Sequence, residues 1–125
     1  MILYKSSPID LVWYECSVTL VICDDVKEGL KGLDLHWSGE EESWEGCTAI
    51  GDNGDIYCIV REDVKRLTVL HECIHAINKI RFLVYSEVDL EKDETYVREV
   101  SWLQNTILDM WENYFNQLAL KESQK

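Results

Sequence analysis

Residues 47–77 read CTAIGDNGDIYCIVREDVKRLTVLHECIHAI, and within these 31 positions the apolar period changes from that of a strand to that of a helix. The first part holds two runs, Cys47 to Ile50 and Ile56 to Val60, rich in β-formers, on either side of Gly51-Asp-Asn-Gly-Asp55. An Asn-Gly pair between two such runs favours a tight reversal, so a β-hairpin is expected. Asp52, Asn53 and Asp55 are not expected to form a calcium loop, because the bidentate acid of such a loop would fall on Asp63 with a strand in between. Asp63 is then a fair N-cap for a helix over about residues 64–83. Strands followed by a helix in this way predict an α+β fold.

Inside that helix lies His71-Glu72-Cys73-Ile74-His75, an H-E-x-x-H sequence. Side chains four positions apart project from the same face of a helix. Both imidazoles can therefore reach one metal ion, zinc by preference, while the glutamate between them stays free to handle a proton. On a helical wheel Leu67, Leu70, Ile74 and Ile77 fall on a single apolar arc, with His71 and His75 beside it and Glu72 further round. Cys73 lies roughly opposite His75 and cannot share its metal.

Working outward toward the N-terminus, Ser17 to Cys23 is β-branched and apolar and is expected as a central strand, part of a longer run from about residue 12. Asp24-Asp25 offers an N-cap for a short helix near residues 25–33, ended by Gly32 and Asp34. Residues 34–46 carry the acid run Glu40-Glu41-Glu42 and read as an acidic loop. Toward the C-terminus, residues 84–93 are polar and turn the chain. A second long helix follows from Glu94 to about Leu118, with Val97, Val100, Ile107, Trp111, Phe115 and Leu118 as its apolar stripe. Two amphipathic helices joined by a short connection are expected to pack antiparallel.

A catalytic zinc site normally has three protein ligands and an open fourth position. Candidates for the third are Glu94, Glu99, Glu91, Asp89, Asp93 and His36. Glu94 is the best placed, at the start of the returning helix and beside the stripe to which Val97 and Phe115 belong.

Composition bounds the alternatives. A chain of 125 residues with 46% hydrophobic content, five Trp and six Tyr is expected to form one folded domain. No stretch is apolar enough for a membrane helix and the first residues do not resemble a secretory signal, so a cytoplasmic location is expected. Five cysteines without a C-x-x-C pair read as reduced, buried thiols. The net charge is −12, with 13 acids and 4 bases in residues 1–62 against 11 and 8 in residues 63–125. Such a surface repels phosphate backbones, which argues against direct binding to nucleic acid and favours a basic protein partner.

Val69-Leu70-His71-Glu72-x-x-His75 followed by Asp93-Glu94-x-x-Val97-Arg98 resembles the gluzincin arrangement of thermolysin-like metallopeptidases. The chain's length and the phrase Asp93-Glu94-Thr-Tyr-Val-Arg-Glu-Val-Ser-Trp-Leu103 are also similar to small H-E-x-x-H proteins encoded by bacteriophages and prophages, the minimal zincin-like type. The likeness covers residues 63–111 well and the first 60 only in general outline. The metzincin extension is absent, since Asn78 and Arg81 stand where its glycine and third histidine would be.

The resemblance implies a minimal zincin-like fold, a small antiparallel-rich sheet with a short helix and two long C-terminal helices on one face. It implies that His71, His75 and Glu94 bind Zn2+ and that Glu72 is the general base for peptide-bond hydrolysis. Tyr96, Arg98 and Tyr85 are then the candidates for a second donor to the oxyanion, and Arg98 could equally hold the Glu94 carboxylate. The expected substrate is a peptide or protein, with a basic host protein met in the host cytoplasm as a candidate. The competing reading is a non-catalytic acidic module, zinc-binding or DNA-mimicking, that binds and inhibits a host protein.

Overall fold

The structure is a computed structural model that describes residues 1–11, 16–35, 45–51, 54–84 and 94–124, with the side chains of residues 79–84 and 94–96 outside the description. In chain order its elements are β1 (Ile2–Lys5), β2 (Ile9–Leu11), β3 (Cys16–Cys23), α1 (Val26–Gly32), β4 (Gly46–Ile50), β5 (Ile56–Arg61), α2 (Arg66–Val84) and α3 (Glu94–Ser123). The mixed content and one five-stranded sheet are those of an α+β fold.

β3 is the centre of the sheet, and every residue of it after Cys16 is buried. Its sheet neighbours run β1-β3-β5-β4, with β2 also paired to β3. β1, β2 and β4 pair antiparallel to their neighbours, whereas β3 and β5 run parallel from Val18↔Ile56 to Cys23↔Arg61. Period-two alternation splits the core into two layers. Val18, Leu20 and Ile22 of β3 and Ile56, Cys58 and Val60 of β5 face α2 and α3, together with Val69, Cys73, Ala76, Ile77, Val100, Leu103 and Ile107. Val21, Cys23 and Ile59 face the other way, onto Val26 and Leu30 of α1. The two long helices thus share one face of the sheet and the short helix covers the other.

Local signals explain the element ends. Asp25 caps α1, its side chain accepting from the Glu28 amide at 3.2 Å, and Asp34 follows the helix in a left-handed conformation with φ 56°. The β4–β5 hairpin closes at Ile50↔Ile56, and Gly54 holds φ 86° in its turn, a conformation that suits glycine. β1 and β2 both pair with β3, and Pro8 and Ser6 lie between them. Proline cannot donate to a ladder. The buried Ser6 bridges the break: its amide donates to the Leu20 carbonyl and its hydroxyl accepts from the Leu20 amide, each at 2.9 Å.

Three expectations are corrected. α2 starts at Arg66, not at residue 64, and Asp63 does not cap it, because its carboxylate pairs with Arg61 instead. The buried side of α2 runs through Val69, Cys73, Ala76 and Ile77, while Leu67 is 77% exposed and Ile74 stands at the surface. Cys73 and Ala76 stand where this helix lies close against the sheet on one side and α3 on the other; Ile77 is buried with them, whereas Leu67 and Ile74 fall outside that contact. On α3 the buried stripe is Val100, Leu103 and Ile107, and Val97 is 53% exposed.

Residues 12–15, the acid run within residues 36–44, and the polar connection at 85–93 lie outside the described residues. No described helix is long and apolar enough to cross a membrane.

All five cysteines are free, and only Cys16 is not fully buried. Burial pushes the Cys23 thiol up to about 11, and burial followed by the Glu72 charge pushes Cys73 up to about 12. Burial raises Cys58 far above the ordinary thiol range as well. Thiolate is the reactive species, so these side chains are inert while the protein is folded. An aromatic disulfide reagent at neutral pH is expected to titrate one thiol per chain in the native state, Cys16, and the other four only after unfolding. Rapid labelling of two or more native thiols would contradict this core.

Candidate metal centre

α2 carries the H-E-x-x-H residues in its first three turns, held between β4 and β5 on one side and α3 on the other. α3 runs antiparallel to it: Arg66 pairs with Glu112, and Gln104 Nε2 donates to the Leu70 carbonyl at 3.1 Å. That second bond ties α3 to the residue immediately before His71.

His71 and His75 both stand at the surface, one turn apart, with ring centroids 4.4 Å apart and planes at 86°. Their Nε2 atoms approach to 2.8 Å. Two N–H groups cannot point at each other over such a distance, so at least one of these nitrogens presents a lone pair. The donor set suits zinc. Two imidazole nitrogens held tetrahedrally at about 2.05 Å from a metal stand roughly 3.3 Å apart, an opening of about half an ångström from the observed contact. Small χ rotations of two exposed side chains supply it.

Glu72 behaves differently from its neighbours. It is 5% exposed and turned toward the edge strand β4, where Thr48 Oγ1 lies 2.9 Å from Glu72 Oε1 and 3.1 Å from the Glu72 carbonyl oxygen. The Thr48 hydroxyl donates its single hydrogen into this pair of acceptors. Two residues before it on the same face of β4, Gly46 leaves the room: a Cβ there would lie 3.3 Å from Glu72 Cγ and 3.0 Å from the Ile59 carbonyl oxygen. The strand is shaped around the carboxylate. Cys58 Sγ also approaches the Glu72 carbonyl, at 3.8 Å. A buried carboxylate is retained only where hydrogen bonds satisfy it, so this one is a positioned group rather than a solvated helix face.

Thr48 and Gly46 are the residues that the sequence did not reveal as part of the site. A lone threonine in an apolar strand was the available signal, but only the pairing of β4 beside α2 gives it meaning. Replacing Thr48 with valine keeps the shape and removes the donor. Leaving a buried carboxylate short of a partner costs about 1–3 kcal/mol, to be read as a lowered urea midpoint; an unchanged midpoint would mean that Thr48 does not hold Glu72.

Among the described residues no third His, Cys, Asp or Glu joins the histidine pair. Glu99 is described, on α3, and does not join it. Glu94 is the first residue of α3 and its side chain lies outside the description, as do those of Tyr96, Tyr85, Asp89, Glu91, Asp93 and His36. Arg98 is exposed on the first turns of α3. Cys73 is wholly buried on the far side of α2, away from the histidines. Searches for related proteins found no matching family model, curated protein or solved structure, so the reading of this centre rests on the chain's own residues.

Proposed function

We infer that the chain is a zinc-dependent metallopeptidase, with His71 and His75 as two metal ligands, Glu94 as the third and Glu72 as general base. The observation that supports it is the 2.8 Å convergence of the two Nε2 atoms beside a buried, hydrogen-bonded glutamate. Bound zinc supplies a water of pKa about 7 and polarises a carbonyl oxygen. His71 and His75 hold the ion at the surface, where a polypeptide can reach it. Thr48 keeps the Glu72 carboxylate in one orientation, and that carboxylate accepts a proton during attack on the peptide bond and returns it to the departing amine. Arg98, Tyr96 and Tyr85 remain the donors that would steady the developing oxyanion.

The test is metal content of the purified chain by plasma mass spectrometry, with affinities from chelator competition. One zinc per chain is expected. A four-coordinate site holds zinc with about 10–16 kcal/mol, so each ligand contributes roughly 3 kcal/mol, and His75→Ala should weaken binding at least ~100-fold with unchanged circular dichroism. A wild-type chain that takes up no zinc at micromolar concentration would end this reading.

A further inference from the structure

Asn78 follows the histidine pair on α2, one turn beyond His75. On a helical wheel it falls within about 60° of both His71 and His75, on the same face. Helical side chains lean toward the N-terminus, so the Asn78 carboxamide leans back over the turn that carries His75. His71 lies about 10 Å away along the axis, too far for direct contact. Asn78 as a whole is half-buried, yet its Oδ1 is shut off from solvent and has no hydrogen-bond partner among the described residues. A buried acceptor left in that state costs stability and calls for a donor that another state of the protein supplies.

The contact between the histidines identifies that donor. An approach of 2.8 Å between the two Nε2 atoms is a hydrogen bond, so one ring carries its hydrogen on Nε2 and the other presents a lone pair. With His75 as the donor its Nδ1 is bare and offers nothing to an amide oxygen, which leaves Asn78 Oδ1 orphaned, as observed. A metal ion takes the lone pairs of both Nε2 atoms. The hydrogen of His75 Nε2 is then released to solvent and another is taken up at Nδ1, so the imidazole stays neutral. A metal-bound imidazole gives that second hydrogen to a fixed acceptor in almost every case. We propose, on the zinc reading of this centre, that Asn78 is a positioning residue whose Oδ1 accepts the Nδ1 hydrogen of His75 once the metal occupies Nε2. Asn78 thereby fixes the tautomer and the ring plane of one ligand, and the acceptor orphaned in the metal-free chain is satisfied in the loaded one.

The test uses the whole chain with zinc chloride, and reads ring nitrogen–hydrogen correlations by NMR and zinc affinity by chelator competition. In the loaded wild type the His75 hydrogen should sit on Nδ1 and be protected from exchange with water. Asn78→Leu keeps the bulk and removes the acceptor; protection should vanish and zinc should bind about 10–100-fold more weakly. Asn78→Asp, which keeps an acceptor, should restore most of that loss. Without metal, Asn78→Leu should raise the urea midpoint, because no buried acceptor is left unpaired. Stability and zinc affinity then move in opposite directions, a pattern that a packing role alone does not produce. Zinc bound equally well by wild type and Asn78→Leu would overturn the role of Asn78 while leaving the ligands in place, whereas a wild type that takes up no zinc would remove both. A freely exchanging His75 Nδ1 hydrogen in the loaded wild type would also overturn it, and that measurement needs no substitution to fold.

Discussion

Glu72→Gln is expected to lower peptide turnover by about 10²–10⁴-fold while leaving zinc content unchanged, since general-base assistance is worth that much and the residue is not a metal ligand in this reading. Glutamine has nearly the shape of glutamate and keeps an Oε1 acceptor for the Thr48 hydroxyl, now 2.9 Å away, so the helix and β4 need not move. What disappears is the proton-accepting carboxylate. Because the substitution also removes a charge buried to 5% exposure, folding stability should stay level or rise, the pattern of a group kept for function at some cost to stability. Thermal melts, metal analysis and single-turnover assays on one preparation separate these effects. Turnover equal to wild type would remove Glu72 from the mechanism, and loss of zinc would make it a ligand rather than a base.

The parts of this centre that depend on one helix were legible in the sequence, because helix geometry alone brings positions 71 and 75 to the same face. The hairpin before it was equally legible, since Asn53-Gly54 lies between two runs of matching period. The Asp25 cap followed from residue type and position. Parts that depend on two elements were not legible. Thr48 and Glu72 are 24 positions apart and meet only because β4 is the edge strand beside α2.

The buried face of α2 misled for a related reason. Counting large aliphatics selects Leu67 and Ile74, but the helix is wedged between sheet and α3, and close approach favours Ala76 and Cys73. β1 and β2 went unread because each is short and Ser6 to Pro8 interrupts the pattern. The Ser6 hydroxyl that repairs the break has no signature apart from its partner Leu20.

Leu103→Ala is expected to cost about 2–5 kcal/mol, from lost transfer energy and from the cavity left behind. Leu103 is fully buried at the middle of the stripe formed with Val100 and Ile107, where α3 lies against both α2 and the sheet. Neighbours on two sides hold the cavity open, which argues for the upper half of that range. Against a total stability of about 5–15 kcal/mol, the loss would shift the urea midpoint strongly downward. Leu120→Ala, at a position 58% exposed on the projecting end of the same helix, should change stability by no more than ~0.5 kcal/mol. The comparison also bears on the proposed metal centre. Glu94 belongs to α3, and a carboxylate can serve as third ligand only if that helix is firmly docked beside His71 and His75. Equal, negligible effects of the two substitutions would mean that α3 is not anchored by Leu103, and Glu94 would lose the support on which its assignment depends.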